Sequence, residues 1–282
     1  MTTNPNNNPL ARYFRKPAIY IRLPSNGDFW TPGSLNMPAN RELPVYPMTA
    51  ADEIVYRTPD ALFNGQATVE VIQSCLPNIL NAWQMPVLDT YSVLISMRIA
   101  SYGHEMDLTS QCPACSESQD YSLDLRTVLN SLGRPNYDQA VQVGEVQIFF
   151  RPMTYRDQNE ISMTQYENTK LVDQLSQSDI NEPDKLRQMA AVMRRLTDLQ
   201  LKTVLVSTDR ICIPDQEIRQ RQHIDEYLRN CDSRAFTDIR NHLMTFRSQA
   251  DPKPVDISCS QCNHSYKQAI EFDQSNFFAR AS

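Results

Sequence analysis

The chain has 282 residues, 27 Lys plus Arg against 33 Asp plus Glu, a net charge of −6 and 41% apolar residues, which suits about two domains with a substantial core. Only six glycines occur, at positions 27, 33, 65, 103, 133 and 144, none in a G-x-G spacing or before Lys-Ser or Lys-Thr, so dinucleotide fingerprints and Walker-type phosphate loops are excluded. The acidic balance argues against a phosphate-binding surface, and Arg194-Arg195 and Arg219/Arg221, set among acids and glutamines, read as solvated helix faces.

The opening MTTNPNNNP has neither a charged start nor an apolar run, so no secretory leader is expected. No stretch approaches the ~18 apolar residues of a membrane span, and a soluble chain made in a reducing cytoplasm is expected. Residues 1–47 carry eight of the eighteen prolines. A short strand over 18–23, a turn at Pro24-Ser-Asn-Gly27, and then Phe29 and Trp30 read as an extended arm with anchor aromatics that clamps onto something.

Thr49-Ala-Ala-Asp52 resembles a capping box, and Thr58-Pro59-Asp60 marks a second helix start. Residues 69–76 continue the helical reading up to Pro77. Asp89 is expected to cap a helix whose stripe is Leu88, Tyr91, Ile95, Ile99 and Tyr102, widened by Leu94 and Met97 and ended by Gly103. Next come a hairpin of 106–110 with 121–125, a short helix near 127–132, and a hairpin of 140–143 with 146–150. Residues 155–250 contain no glycine and read as helical almost throughout. The expected helices run at about 155–177, 184–206, 216–230 and 234–249, broken at Pro183, Pro214 and Asp232-Ser233. The stripes Met189/Met193/Leu196/Leu199 and Phe236/Ile239/Leu243/Phe246 mark buried faces.

Two parts of the chain parallel each other: Val45-Tyr-Pro-Met-Thr-Ala-Ala-Asp-Glu53 and Phe150-Arg-Pro-Met-Thr-Tyr-Arg-Asp-Gln158. Each is followed by helices, then a C-x-x-C pair, then a tyrosine and a strand. The expected fold is α+β and mostly helical, with two pseudo-repeated halves of strand, helices and cysteine-knuckle hairpin. An arm (1–42) precedes a first half (43–145) and a second half (146–282), the latter carrying a helical insertion at about 155–250.

Of seven cysteines, Cys112/Cys115 and Cys259/Cys262 form the two pairs, while Cys75, Cys212 and Cys231 read as buried inert thiols. Two C-x-x-C turns supply the tetrahedral shell of a zinc ribbon. Here the long separation would make it a split ribbon, with each half donating one knuckle and a structural Zn2+ joining them. Two separate redox dithiols, or a vestigial pair, remain as competing readings. Many knuckles have Gly after the second Cys, where positive φ is favoured. Here Ser116 and Asn263 stand there; Asn tolerates that conformation, Ser less well. His104 and His264 lie near the knuckles but are expected at the surface. No H-E-x-x-H, G-x-S-x-G or kinase-like set occurs. A four-thiolate shell leaves no open position for water, so no enzyme and no catalytic residue is expected.

Several motifs share a family order: Leu23-Pro-Ser-Asn-Gly27, Val45 to Glu53, Thr58-Pro-Asp-Ala-Leu62 with Asn64-Gly65, Val71-Ile-Gln-Ser-Cys75, Arg98-Ile-Ala-Ser-Tyr-Gly103 and Cys112-Pro-Ala-Cys115. Together they resemble the base plate (hub) proteins of T4-like contractile-tailed bacteriophages, strongly over about 20–125 and more loosely over 146–275. The resemblance implies a non-catalytic structural or assembly role in the virion tail baseplate, after synthesis in the host cytoplasm. Expected partners are other tail and baseplate proteins and a second copy of the chain, with no membrane. A hub assembly factor that leaves before maturation is the first alternative. A zinc-ribbon nucleic-acid-binding protein is the second, disfavoured by Glu117, Asp120 and Asp256 beside the knuckles, against only Lys253 and Lys267 as bases.

Overall fold

The computed structural model describes residues 8–57, 65–177, 181–270 and 278. Two short strands, β1 (Ile19–Ile21) and β2 (Leu43–Val45), pair antiparallel. Helix α1 (Ala50–Tyr56) follows from the expected capping box: the Asp52 N–H donates to Thr49 Oγ1 at 3.2 Å, and the Thr49 N–H donates back to the Asp52 carboxylate at 2.8 Å. The second expected start, Thr58-Pro59-Asp60, lies outside the described residues. Helices α2 (Gln66–Cys75) and α3 (Val87–Tyr102) come next.

Helix α3 is buried nearly all round, with Val93, Ile95, Ser96 and Met97 at 0% exposure, because the first core wraps it from several sides. Gly103 ends it as expected, at φ 93°. The expected cap does not hold: Pro86 is the N-cap, and Asp89 sits in the first turn. The Asp89 carboxylate is turned instead onto the segment after β1, accepting from Ser25 N at 2.8 Å, Ser25 Oγ at 2.6 Å and Trp30 Nε1 at 2.9 Å. Phe29 meets Tyr137 edge-on, with ring centroids 5.2 Å apart. Phe29 and Trp30 therefore grip their own chain, and Ile21, Leu23, Leu43 and Val45 belong to the first core.

Beyond α3 run β3 (Glu105–Gln111) and β4 (Ser118–Asp124), paired over their whole length, then α4 (Leu125–Ser131). Strands β5 (Val141–Val143) and β6 (Val146–Phe150) lead into the long antiparallel pair α5 (Tyr155–Gln177) and α6 (Glu182–Ser207). Asn181 caps α6, its Oδ1 accepting from the Asp184 N–H at 3.1 Å, with Pro183 in the first turn.

The stretch 155–250, expected to be helical almost throughout, contains two strands. Strands β7 (Thr208–Ile213) and β8 (Gln216–Ile218) extend the β5–β6 hairpin to a four-stranded sheet of order β5-β6-β7-β8, and the helix expected over 216–230 becomes α7 (Arg221–Asn230). Pro214-Asp215 is the turn of a hairpin rather than a break between helices. Ile211 packs into the core between the half-buried Arg210 and Cys212. Helix α8 (Ser233–Ala250), capped by Asp232, then leads to β9 (Val255–Ser258) and β10 (Ser265–Gln268).

A second core forms between this sheet and α6, α7 and α8, from Ile148, Phe150, Val204, Ile211, Ile224, Leu228, Ile239 and Leu243. The two cores meet where Val87 N donates to Met153 O at 2.9 Å and Tyr155 N donates to Met85 O at 2.7 Å. Leu88, at the start of α3, packs into the second core.

The two Pro-Met-Thr segments make the same local bonds. At Thr154 the Asp157 N–H donates to Oγ1 at 3.2 Å, while the carboxylate of Asp157 accepts from Thr154 N at 3.0 Å and Oγ1 at 2.7 Å. At Thr49 the hydroxyl likewise donates to Asp52, at 2.8 Å. The residue before each proline also finds an equivalent partner: Tyr46 N donates to the carbonyl of Cys75, the last residue of α2, and Arg151 N to that of Ser207, the last residue of α6, both at 2.8 Å. Among the described residues, no helix is long and apolar enough to cross a membrane.

Candidate metal centre

The first knuckle is the turn between β3 and β4, and the second is the turn between β9 and β10. In the first, Cys112 N donates to Glu117 O and Ser116 N to Cys112 O, both at 2.9 Å. In the second, Cys259 N donates to His264 O and Asn263 N to Cys259 O, also both at 2.9 Å. The same turn is therefore built twice from different residues. Closing it requires positive φ at the position after the second cysteine: Ser116 has φ 60° and Asn263 φ 56°. The departure from Gly does not prevent the turn.

Folding brings the four predicted residues Cys112, Cys115, Cys259 and Cys262 into one group, with all four sulfurs within 4.8 Å of one another. The close pairs cross between the hairpins: Cys112 Sγ is 3.7 Å from Cys262 Sγ, and Cys115 Sγ is 3.6 Å from Cys259 Sγ. A Zn–S bond of about 2.3 Å gives a tetrahedral S···S edge of about 3.8 Å. These separations fit that edge and are far from a disulfide of about 2.05 Å. All seven cysteines are free. Cys112 and Cys259 are buried, while Cys115 and Cys262 face solvent.

The thiols also differ in how readily they ionise. Backbone N–H groups of Cys262 and Gln261, together with the neighbouring thiols, hold Cys259 down to about 6. At Cys115 the Glu117 backbone N–H pulls the other way from its thiol neighbours Cys262, Cys259 and Cys112, and the net result is a rise to about 12. Cys259 thus ionises more readily than Cys115, and thiolates this close resist ionising together. A divalent ion removes that conflict and deprotonates coordinating thiols. The donor set is therefore compatible with a structural metal ion held by all four sulfurs.

Neither histidine joins the cluster. His264 stacks on Tyr266, with centroids 6.2 Å apart, and His104 lies 4.0 Å from Glu105. Of the remaining cysteines, Cys75 is fully buried, and burial pushes its thiol up to about 12. Cys212 and Cys231 are only half-buried, which corrects the expectation of three buried thiols.

Sequence reasoning missed the polar side chains that join the hairpins. Ser110, Gln119, Ser260 and Gln268 bond across the junction, together with Tyr121 and Tyr266, which had served only as strand markers. One signal was available: Ser110 and Tyr121 lie on the inward face set by strand alternation, where an apolar residue is expected.

Fold and site together describe an α+β protein with two cores and a four-cysteine centre assembled from the turns of two distant hairpins. The T4 bacteriophage base plate protein family matches residues 34–279, most of the chain, and the chain belongs to that family. Comparison with curated proteins and with solved structures gave no match.

Proposed function

We propose that this chain is a structural, non-catalytic part of the contractile tail baseplate, at or near the hub, stapled internally by one Zn2+ on Cys112, Cys115, Cys259 and Cys262. The observation that carries the reading is family membership over residues 34–279. The crossing of thiols between two remote hairpins supports the staple. Binding free energy at structural zinc is largely folding free energy, so the ion would fix the chain before and after the four-stranded sheet and its helices.

The reading includes two related halves, about 43–145 and 146–282, preceded by the Pro-rich segment 1–42. Paired Pro-Met-Thr boxes, their matched bonds to the ends of α2 and α6, and two copies of one knuckle support it. Its expected partners are neighbouring tail proteins and a second copy of itself, and its expected place is the virion tail.

Mass spectrometry of purified particles tests this role. The chain should be present at a fixed copy number. Its absence from particles, with tails failing to assemble when it is deleted, would replace the structural role with that of an assembly factor. Retention of DNA by the purified protein at physiological salt would instead favour nucleic-acid binding.

A further inference from the structure

The two knuckles belong to hairpins far apart in sequence, yet a continuous path of side-chain hydrogen bonds crosses between them. Ser260, the second residue of the Cys259 turn, donates both its N–H and its hydroxyl to Gln119 Oε1, at 2.9 and 2.7 Å. The Gln119 amide in turn donates to Tyr121 OH. Tyr121 OH lies 3.4 Å from Tyr266 OH, which lies 3.0 Å from Ser110 Oγ. Ser110, only 4% exposed, donates to Gln268 Oε1 at 2.6 Å. Ser110 and Gln119 are register partners on β3 and β4, so one rung of the first hairpin reaches both the turn and the last strand of the second.

The two turns differ where this path begins. Pro113 occupies the second position of the first knuckle and has no N–H to satisfy. Ser260 occupies it in the second knuckle, and its N–H goes to a side chain of the opposite hairpin. The bridging groups are neutral, so they act whether or not the thiols are ionised.

We propose that Gln119 is a positioning residue for the four-cysteine centre, holding the second knuckle face to face with the first so that metal binding does not have to order two loose hairpins. The proposal rests on the metal reading above. Outer partners that orient metal ligands typically change affinity by about 10–100-fold when removed. Gln119 has that place here although it touches no sulfur.

The test is titration of the reduced full-length protein with Co2+, then competition with Zn2+ against a chromophoric chelator. Gln119→Ala should weaken the affinity about 10–100-fold, yet at saturation show the same one-to-one stoichiometry and the same tetrahedral thiolate spectrum. Ser260→Pro, which imitates the first knuckle, should weaken it similarly, and the double variant should lose no more than either single one. Gln119→Glu keeps the acceptor for Ser260 and should retain most of the affinity. Affinities of Gln119→Ala and wild type within twofold of each other, or losses that multiply in the double variant, would overturn the positioning role while leaving the metal site standing. A wild-type protein that takes up neither ion would overturn the metal reading and the positioning role together.

Discussion

Replacing Asp89 by Asn should remove a pH dependence of stability that one buried carboxylate creates. Asp89 is 0% exposed and accepts from Ser25 N, Ser25 Oγ and Trp30 Nε1. Burial pushes its carboxyl from 3.8 up to about 6, against the pull of those bonds and of Arg134. The folded protein thus holds this proton more tightly than the unfolded chain does. The stabilisation is fully present below about pH 4 and is lost as the pH rises through about 6. A rise of about two units corresponds to about 3 kcal/mol, of which about 1 kcal/mol falls between pH 5 and 7. Asn cannot ionise and keeps nearly the same shape, although it loses the bond from Trp30 or Ser25 where its amide faces a donor. Urea unfolding of wild type and Asp89→Asn at pH 5, 6 and 7 measures the effect. The stability advantage of wild type should shrink by about 1 kcal/mol from pH 5 to pH 7. Parallel dependences for the two proteins would show that Asp89 titrates alike folded and unfolded, and the reasoning would fail.

Other expectations follow from single contacts. Thr49→Ala and Thr154→Ala each remove one capping box and should each cost about 1 kcal/mol in chemical unfolding; a loss at one site only would break their equivalence. Gly133→Ala would place a Cβ 2.5 Å from the carbonyl oxygen of Gln249 near the end of α8, and backbone is slow to yield, so the melting temperature should fall by the equivalent of about 1–3 kcal/mol. An unchanged melting temperature would mean that the two segments are not packed so closely. Phe150→Ala, at a residue 1% exposed in the second core, should cost about 3–5 kcal/mol, and a cost under about 1 kcal/mol would contradict that core.

Features set by local chemistry were legible in the sequence. The start of α5 at Tyr155 agrees with the expected 155–177, because Thr154 with Asp157 caps that helix locally. The Thr49 box, the Gly103 stop and both cysteine hairpins were legible for the same reason. The four cysteines were legible as one site because each C-x-x-C turn is locally determined and the parallel order of elements paired them. What escaped depends on contacts between distant residues. Thr208–Ile213 is a strand because β6 offers it an edge, and the surrounding glycine-free helical pattern hid it. Asp89 occupies a position where a cap was expected, but Ser25 and Trp30 claim its carboxylate from more than fifty residues away. Trp30 looked like an anchor for a partner because no local pattern announces Asp89. Gln119 and Ser110 are ordinary strand residues until the second hairpin docks against them.

In the proposed structure of the centre, Cys112, Cys115, Cys259 and Cys262 hold one structural zinc between two distant parts of the chain. Zinc-edge X-ray absorption on the purified, reduced protein, with elemental analysis of the same sample, tests it most directly. About one zinc per chain, bound by four sulfurs at about 2.3 Å, is expected. A native protein without zinc, or one in which the four thiols are paired as disulfides, would contradict it.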